Sequence, residues 1–160
     1  LGHMSLWKTL LASDEEAFLI FEDDVLLPKN GLATMAMAYT LALPSDWSVV
    51  YWGYCWRDIS ALSPVNKSFD AASNPPMCQH AYMLKRRTAE LLLPRFDCSK
   101  PMDMQTRELF KGVDGVYVYT DPMFARQRSL VYTDQYDSKV PVVAEDQGLF
   151  SSQTCHRNTC

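Results

Sequence analysis

Apolar residues along this chain recur with two periods, and the alternation of helix-like and strand-like segments predicts an α/β protein. The first segment places Met4, Trp7 and Leu11 on one face of an amphipathic helix. Later segments are short and rich in β-branched and aromatic residues, which is typical of strands. In chain order the predicted elements are a helix over 3–13, a strand over 17–21, a helix over 32–43, strands over 46–54 and 77–84, helices over 86–93 and 101–111, and a strand over 116–119.

Two segments show little periodicity and are predicted to be irregular. Residues 55–76 are rich in Ser, Pro, Asn and Asp, and we expect a long loop beside the site, since long irregular loops in compact domains are usually functional or disordered. Residues from 123 onward are polar and aperiodic. These residues are therefore expected to be irregular structure that wraps the site, or a partly ordered tail.

Three adjacent acids, Glu22, Asp23 and Asp24, follow the first predicted strand. The continuous apolar run before them is typical of a strand buried on both faces, so we expect a central strand with the acids at its carboxyl end, where α/β sheets bind ligands. In an extended segment Glu22 and Asp24 would point one way and Asp23 the other. Adjacent carboxylates disfavour one another's ionisation, and bound Mn²⁺ or Mg²⁺ would offset that cost. Helix caps, turn formers and partners for Arg or Lys are the structural alternatives.

Composition limits the classes of protein that need to be considered. The 160 residues are 48% hydrophobic, which is enough for one domain with a core of its own. The net charge is −4 and the longest basic run is 85–87, which argues against a nucleic-acid groove. No apolar segment approaches the roughly 20 residues that span a bilayer.

The cysteines leave the redox compartment open. The chain has five, with no CxxC pair and no zinc-binding spacing, and Cys155 and Cys160 are placed to close a small disulfide loop. Asn66, Lys67 and Ser68 fit a glycosylation sequon, a motif that is common by chance. Maturation in the secretory pathway and five reduced cytosolic thiols remain alternative interpretations.

Six short motifs in order along residues 2–134 resemble those of the family 25 glycosyltransferases, which include lipooligosaccharide and collagen galactosyltransferases. The six matching segments are 2–8 (helix end with His3 and Trp7), 21–25 (FEDDV), 47–53 (WSVVYWG), 80–89 (HAYMLKRRTA), 101–103 (PMD) and the late positions Pro122, Gln127, Thr133 and Asp134. Gly2 stands where the family usually has Ser. The family's first strand and helix, which carry part of the donor site, have no counterpart here.

The resemblance implies a GT-A-like, Rossmann-like nucleotide-sugar-binding domain, truncated at its amino terminus, with a mixed, mostly parallel sheet and flanking helices. It places this partial catalytic domain over 1–134 and leaves an irregular tail over 135–160. It implies a metal-dependent, inverting transfer of a hexose, with galactose from UDP-galactose favoured, to a hydroxyl group of a glycan or protein acceptor. Such an enzyme would work in the endoplasmic reticulum or Golgi if eukaryotic and in the cytoplasm if bacterial or viral.

The resemblance also implies roles for particular residues. Asp24 is expected to bind Mn²⁺ or Mg²⁺ directly, with Glu22 and one late residue, Gln127, Asp134 or His156, completing the protein ligands. Asp103 is expected to be the base, or simply a helix cap. The donor is expected to contact the acidic triplet and His80, although His80 is as readily a structural histidine. Aromatic side chains at 52, 54 and 56 would stack on a sugar or belong to the core.

Three alternatives to an active transferase remain. The chain can be a catalytically silent domain of the same fold that acts as a binding or interaction module. It can be a different α/β protein that uses Mg²⁺ in phosphoryl chemistry, although no nucleophile motif for such an enzyme is found. It can also be a metal-free interaction module in which the acids cap helices.

Overall fold

The computed structural model of the chain describes residues 2–55, 61–97, 100–120 and 124–127. The helices within this part are α1 (Gly2–Ala12), α2 (Gly31–Leu41), α3 (Arg86–Leu92) and α4 (Met102–Phe110). The strands are β1 (Ala17–Phe21), β2 (Val25–Leu26), β3 (Val49–Gly53), β4 (Leu62–Pro64), β5 (Phe69–Ala72), β6 (Ala81–Lys85), β7 (Val116–Tyr119) and β8 (Arg126–Gln127).

Six of these strands form one mixed sheet in the order β1-β6-β3-β7-β5-β4. An α/β protein with a mixed sheet and helices is therefore confirmed. The expected mostly parallel sheet is wrong, because only β3 and β7 pair in parallel and the other four pairings are antiparallel. The error has a simple cause: an apolar run indicates burial, but it does not determine the direction of the neighbouring strand.

The strand that precedes the acids lies at one edge of the described sheet, not at its centre. β1 pairs with β6 alone among the described strands, and Leu19 in the middle of β1 is 40% exposed. The prediction of a central strand buried on both faces is therefore wrong for β1. It fits β3, all five residues of which are buried.

The ends of several strands meet at one rim of the sheet. β1 and β3 both run antiparallel to β6, and β7 runs parallel to β3, so the carboxyl ends of β1, β3 and β7 lie beside the amino end of β6. This rim gathers Glu22 after β1, Gly53 at the end of β3 and His80 before β6. The expectation that the acids follow the carboxyl end of a strand is confirmed.

Two apolar clusters form the core. One contains Trp7, Tyr51 and Tyr82, and the other contains Trp52 and Phe69. Trp52 is fully buried and its ring packs against Phe69 and Tyr119, so it belongs to the core and cannot stack on a sugar in this arrangement. Tyr54 is also in the core, whereas Trp56 lies outside the described residues.

Residues 61–76 are not the irregular loop that the composition of the segment 55–76 predicted, and residues 56–60 lie outside the described residues. β4 and β5 form an antiparallel hairpin within residues 61–76. Asn66 Oδ1 closes the hairpin turn by accepting hydrogen bonds from the backbone N–H groups of Ser68 (2.8 Å) and Phe69 (3.1 Å), as expected for an Asx turn. Asn66 Nδ2 also donates to the Ala42 carbonyl (2.8 Å), so the sequon asparagine has a structural role.

None of the helices in the described ranges is long and apolar enough to cross a membrane. The predicted tail over 135–160, with its proposed Cys155–Cys160 loop, lies outside those ranges.

Candidate functional site

The acidic triplet forms a turn between two strands. β1 ends at Phe21, and the N–H of Val25 donates to the Glu22 carbonyl (3.3 Å) before β2 begins. The backbone N–H of Glu22 donates to the carbonyl of His80 (2.9 Å), which ties the turn to the start of β6. The prediction that the triplet is extended and alternates between two faces is therefore wrong.

Glu22 is held through both of its carboxylate oxygens. Oε1 lies 3.3 Å from His3 Nε2, and Oε2 accepts a hydrogen bond from Gln127 Nε2 (2.8 Å). The hydrogen bond from His3 is the largest cause that lowers the pKa of Glu22, and it outweighs the opposing effect of burial. Glu22 therefore sits at the rim as a half-buried, ionised carboxylate.

His3 reaches Glu22 because α1 is fixed against β6. His3 Nδ1 lies 3.0 Å from the Tyr82 hydroxyl, which also accepts a hydrogen bond from Trp7 Nε1 (2.8 Å). At the other end of α1, the guanidinium of Arg86 donates to the carbonyls of Leu11 and Ser13. Carbonyls at a helix end have no partner within the helix, so Arg86 satisfies this end and anchors it to α3.

Gln127 reaches the turn because β8 pairs with β2. Val25 is opposite Gln127 in this short ladder. Gln127 presents its amide nitrogen to Glu22, and its Oε1 lies 3.2 Å from Cys55 Sγ. A Gln127 that ligates a cation together with Glu22 would need its amide group turned over.

A cavity of about 180 Å³ opens beside Glu22. It is lined by Glu22, Cys78, Gln79, Met102, Asp103 and Gln127. Three of the predicted site residues, Glu22, Asp103 and Gln127, are thus brought to one cavity. The predicted residues Asp23, Asp24 and His80 are not among its lining residues.

Asp24 lies two residues after Glu22 in the same turn, and the described residues leave one of its carboxylate oxygens without a partner. Its Oδ1 is buried and has no hydrogen-bond partner among them. Burial raises the pKa of Asp24, and the nearby carboxylates of Glu22 and Asp23 raise it further. Asp23 itself is exposed. A cation would relieve the electrostatic cost at Asp24.

His80 is 1% exposed, and its ring is fixed by Ala125. Its Nε2–H donates to the Ala125 carbonyl, which leaves Nδ1 as an acceptor that is buried and without a partner among the described atoms. Burial lowers the pKa of His80, so the ring is neutral near pH 7. Gly53 permits this contact, because a Cβ there would lie 2.5 Å from the His80 ring.

Asp103 enters the cavity from the first turn of α4. Its Oδ1 accepts a hydrogen bond from the N–H of Met104 (2.9 Å), and the residue is only half-buried. The N-cap of α4 is Pro101, so Asp103 is not the cap residue, although it satisfies one backbone donor at this helix end. The carboxylate therefore combines a structural contact with a place on the cavity wall.

The residues fit a divalent cation only in part. No group of three or more His, Cys, Asp or Glu side chains suited to a metal occurs within the described residues. Asp24 nevertheless offers a buried, unpartnered oxygen, and Glu22 lies close enough to influence its ionisation. Mg²⁺ and similar hard ions often take only one or two protein carboxylates, with substrate phosphates and water completing the coordination. Asp24, with Glu22 nearby, is the part of this donor set that suits a cation of that kind.

A disulfide that the sequence analysis missed joins Cys55 and Cys78 at the edge of the cavity. It connects the end of β3 to the segment before β6, and the N–H of Cys55 donates to the Met77 carbonyl beside it (3.1 Å). The two cysteines are 23 residues apart, and spacing alone does not select one pair from five cysteines.

His3, Trp7 and Tyr82 are the other side chains whose joint arrangement was missed. His3 and Trp7 are four residues apart, which places them on one helix face. The motif segments 2–8 and 80–89 contain the three residues but do not indicate that they meet. Tyr82 lies 79 residues from His3, and no local pattern links the two. The further ligand candidates Asp134 and His156 lie outside the described residues.

The fold and the site define an α/β protein with a cavity lined by two carboxylates at one rim of a mixed sheet. In comparisons with known proteins, no family model matches the chain and no curated protein matches it in sequence.

Proposed function

We propose that the protein is a metal-dependent, inverting glycosyltransferase that moves a hexose from a UDP-sugar to a hydroxyl group of a glycan or protein. One observation carries the proposal: Glu22 and Asp103, which the motif resemblance selects from distant parts of the chain, line the same cavity. The buried, unpartnered oxygen of Asp24, two residues after Glu22, supports a site for the cation that accompanies a diphosphate.

The proposed reaction forms a bond between the acceptor oxygen and the anomeric carbon as the bond from that carbon to the diphosphate oxygen breaks. Inversion follows from attack on the face opposite the leaving group. Asp103 would take the acceptor's proton, since it is a half-buried carboxylate on the cavity wall. Galactose is the sugar favoured by the motif resemblance.

The size of the cavity limits what it can hold. Its volume of about 180 Å³ is below the roughly 300–1,000 Å³ of typical ligand pockets. The cavity can accommodate a sugar ring, but a whole UDP-sugar needs additional surface. We therefore assign the cavity to the hexose and the rim beside Asp24 to the diphosphate.

Asp24 and Glu22 would hold the cation, which supplies positive charge to the departing diphosphate. The residues themselves perform the remaining tasks. Gln127 and His3 keep Glu22 in place, whereas the buried ring of His80 is held by the Ala125 carbonyl and does not line the cavity.

A catalytically silent domain of the same fold is a second candidate, and two observations favour it. The described residues contain no ready three-ligand metal group, and both oxygens of Glu22 are already engaged by side chains. Such a domain would keep the rim as a binding surface without catalysing transfer.

Isothermal titration of the full chain with UDP in the presence of Mn²⁺ separates the two candidates. The transferase is expected to bind UDP only when Mn²⁺ is present, and Asp24→Asn is expected to abolish that binding. Asp14→Asn is the matched control, because Asp14 is an exposed aspartate in the turn before β1.

Circular dichroism on each variant establishes that the fold is retained. Binding that persists unchanged in a folded Asp24→Asn variant would remove Asp24 from the site. No binding by the wild-type chain at millimolar UDP would favour the silent domain.

A further inference from the structure

The hydrogen bonds behind Glu22 have a defined direction. The indole Nε1–H of Trp7 can only donate, so the Tyr82 hydroxyl accepts at 2.8 Å. The single hydrogen of that hydroxyl is then available to His3 Nδ1, 3.0 Å away. Tyr82 and Trp7 are both fully buried, which means that water does not compete for these bonds.

Two neighbours favour the same tautomer of a neutral His3 ring, because the Tyr82 hydroxyl has a hydrogen to donate to Nδ1 and the ionised Glu22 carboxylate beside Nε2 can only accept. A neutral imidazole carries one hydrogen, and a ring that accepts at Nδ1 carries it on Nε2. Nε2 is the atom that faces Glu22 Oε1, at 3.3 Å. The rings of His3 and Tyr82 also stack, with centroids 5.6 Å apart, and the stacking restricts the orientation of His3.

Glu22 is therefore held from two sides. His3 donates to Oε1 from α1, and Gln127 donates to Oε2 from β8. A glutamate has three side-chain torsions, and restricting them has an entropic cost that these two hydrogen bonds offset. The carboxylate keeps further lone pairs, which a ligand in the cavity can use.

We propose that His3 is a positioning residue for the cavity: Trp7 and Tyr82 hold its ring as the tautomer with hydrogen on Nε2, and this ring fixes the Glu22 carboxylate at the cavity wall. The inference rests on the proposed function in one respect, the identity of the ligand: the positioned Glu22 carboxylate would bind a UDP-sugar together with its cation. The positioning itself is a property of the chain without ligand.

The first test reads the tautomer directly, without any ligand. Two-dimensional ¹⁵N–¹H correlation spectra of the full chain at neutral pH distinguish Nδ1–H from Nε2–H imidazole. We expect His3 to be the Nε2–H form in the wild type and a mixture in Tyr82→Phe, which removes only the hydroxyl. An Nδ1–H ring in the wild type, or an unchanged tautomer in Tyr82→Phe, would overturn the proposal.

The second test compares two replacements of His3 by titration with UDP and Mn²⁺. The amide of His3→Gln can place a donor near the position of Nε2, whereas His3→Ala cannot. We expect about tenfold weaker binding in His3→Ala, corresponding to one lost hydrogen bond to a charged group, and partial rescue in His3→Gln. Ser5→Ala, at an exposed position on α1, is the control and is expected to bind like the wild type.

The two tests separate failure of the positioning from failure of the proposed function. A wild type that does not bind UDP refutes the proposed function, and the tautomer measurement still decides the positioning of His3. A wild type that binds UDP, together with equally tight binding in His3→Ala, refutes the positioning role alone.

Discussion

Two carboxylates of one turn, Glu22 and Asp24, have opposite surroundings. Glu22 is bound by His3 and Gln127, and its pKa is lowered. Asp24 has a buried oxygen without a partner among the described residues, and its pKa is raised. Two residues along the chain thus separate a carboxylate whose two oxygens both have side-chain partners from one whose Oδ1 has no partner among the described residues.

The difference shows that the protein provides side-chain partners for both oxygens of Glu22 but leaves Asp24 Oδ1 without one among the described residues. Buried polar groups are nearly always hydrogen-bonded, and the exceptions often mark functional sites. The hydrogen bonds of Glu22 come from α1 and β8, whereas the described elements supply none to Asp24 Oδ1. In the proposed site, His3 and Gln127 therefore hold Glu22 in place for a ligand, whereas the free oxygen of Asp24 would be satisfied only when a ligand binds.

The largest effect is expected from Gly53→Ala, which disturbs both sides of the comparison. A Cβ at residue 53 would lie 2.5 Å from the His80 ring and 2.6 Å from the Ala125 carbonyl. Overpacking of this kind costs about 1–3 kcal/mol, and displacement of Ala125 would carry Gln127 away from Glu22. Urea unfolding measures the loss of stability.

Gly112→Ala is the control for this substitution, because a Cβ there meets nothing within 4 Å. Its free energy of unfolding is expected to stay within about 0.5 kcal/mol of the wild type. Equal stability of the Gly53 and Gly112 variants would contradict the close contact between Gly53 and His80.

Sequence patterns predicted the local elements far better than their arrangement. The strands over 17–21 and 116–119 have the predicted bounds, and the predicted helices are present with ends shifted by one or two residues. Periodicity reports which face of an element is buried, which is a local property. It does not report that β1 pairs antiparallel with β6, more than 60 residues away in the chain.

The candidate site likewise combines residues that the sequence indicated with contacts that it did not. The acids stood out because three adjacent carboxylates are costly wherever they lie. The motif resemblance selected Asp103 and Gln127, but no periodicity indicated that they share a cavity with Glu22. The contact of His3 with Tyr82 joins a residue of α1 to a residue of β6 that is distant in the chain. The described part of β8 is two residues long, too short for a period to be recognised.

A smaller effect is expected from a change in pH, which should alter the stabilities contributed by Glu22 and Asp24 in opposite directions. The folded-state pKa of Glu22 lies below its ordinary value of 4.5. Its contribution to the free energy of unfolding is therefore fully present above pH 4.5 and is lost as the pH falls through the folded-state pKa. The folded-state pKa of Asp24 lies above its ordinary value of 3.8. Its contribution to the free energy of unfolding is therefore fully present below pH 3.8 and is lost as the pH rises through the folded-state pKa.

Urea unfolding across roughly pH 3–7 tests these opposite slopes. The free energy of unfolding that Glu22→Gln loses relative to the wild type should grow as the pH rises. Over the same range, Asp24→Asn should become more stable relative to the wild type. Each change is expected to stay below about 1 kcal/mol, since both groups are partly solvated. Parallel curves for the two variants would show that their surroundings do not differ as the structure indicates.

The smallest effect on stability is expected at Asp103. It lines the same cavity as Glu22, but it lacks contacts like those that His3 and Gln127 make with Glu22. An asparagine at this position can still accept the hydrogen bond from Met104, so Asp103→Asn should change the free energy of unfolding by less than about 0.5 kcal/mol. If Asp103 is the base, turnover with a UDP-sugar should nevertheless fall about 10²–10⁴-fold while affinity for UDP and Mn²⁺ is kept. Rate measurements alongside titration separate these quantities. Loss of affinity without loss of turnover would reassign Asp103 to binding, because a base acts on the acceptor's proton and contributes little to holding the donor.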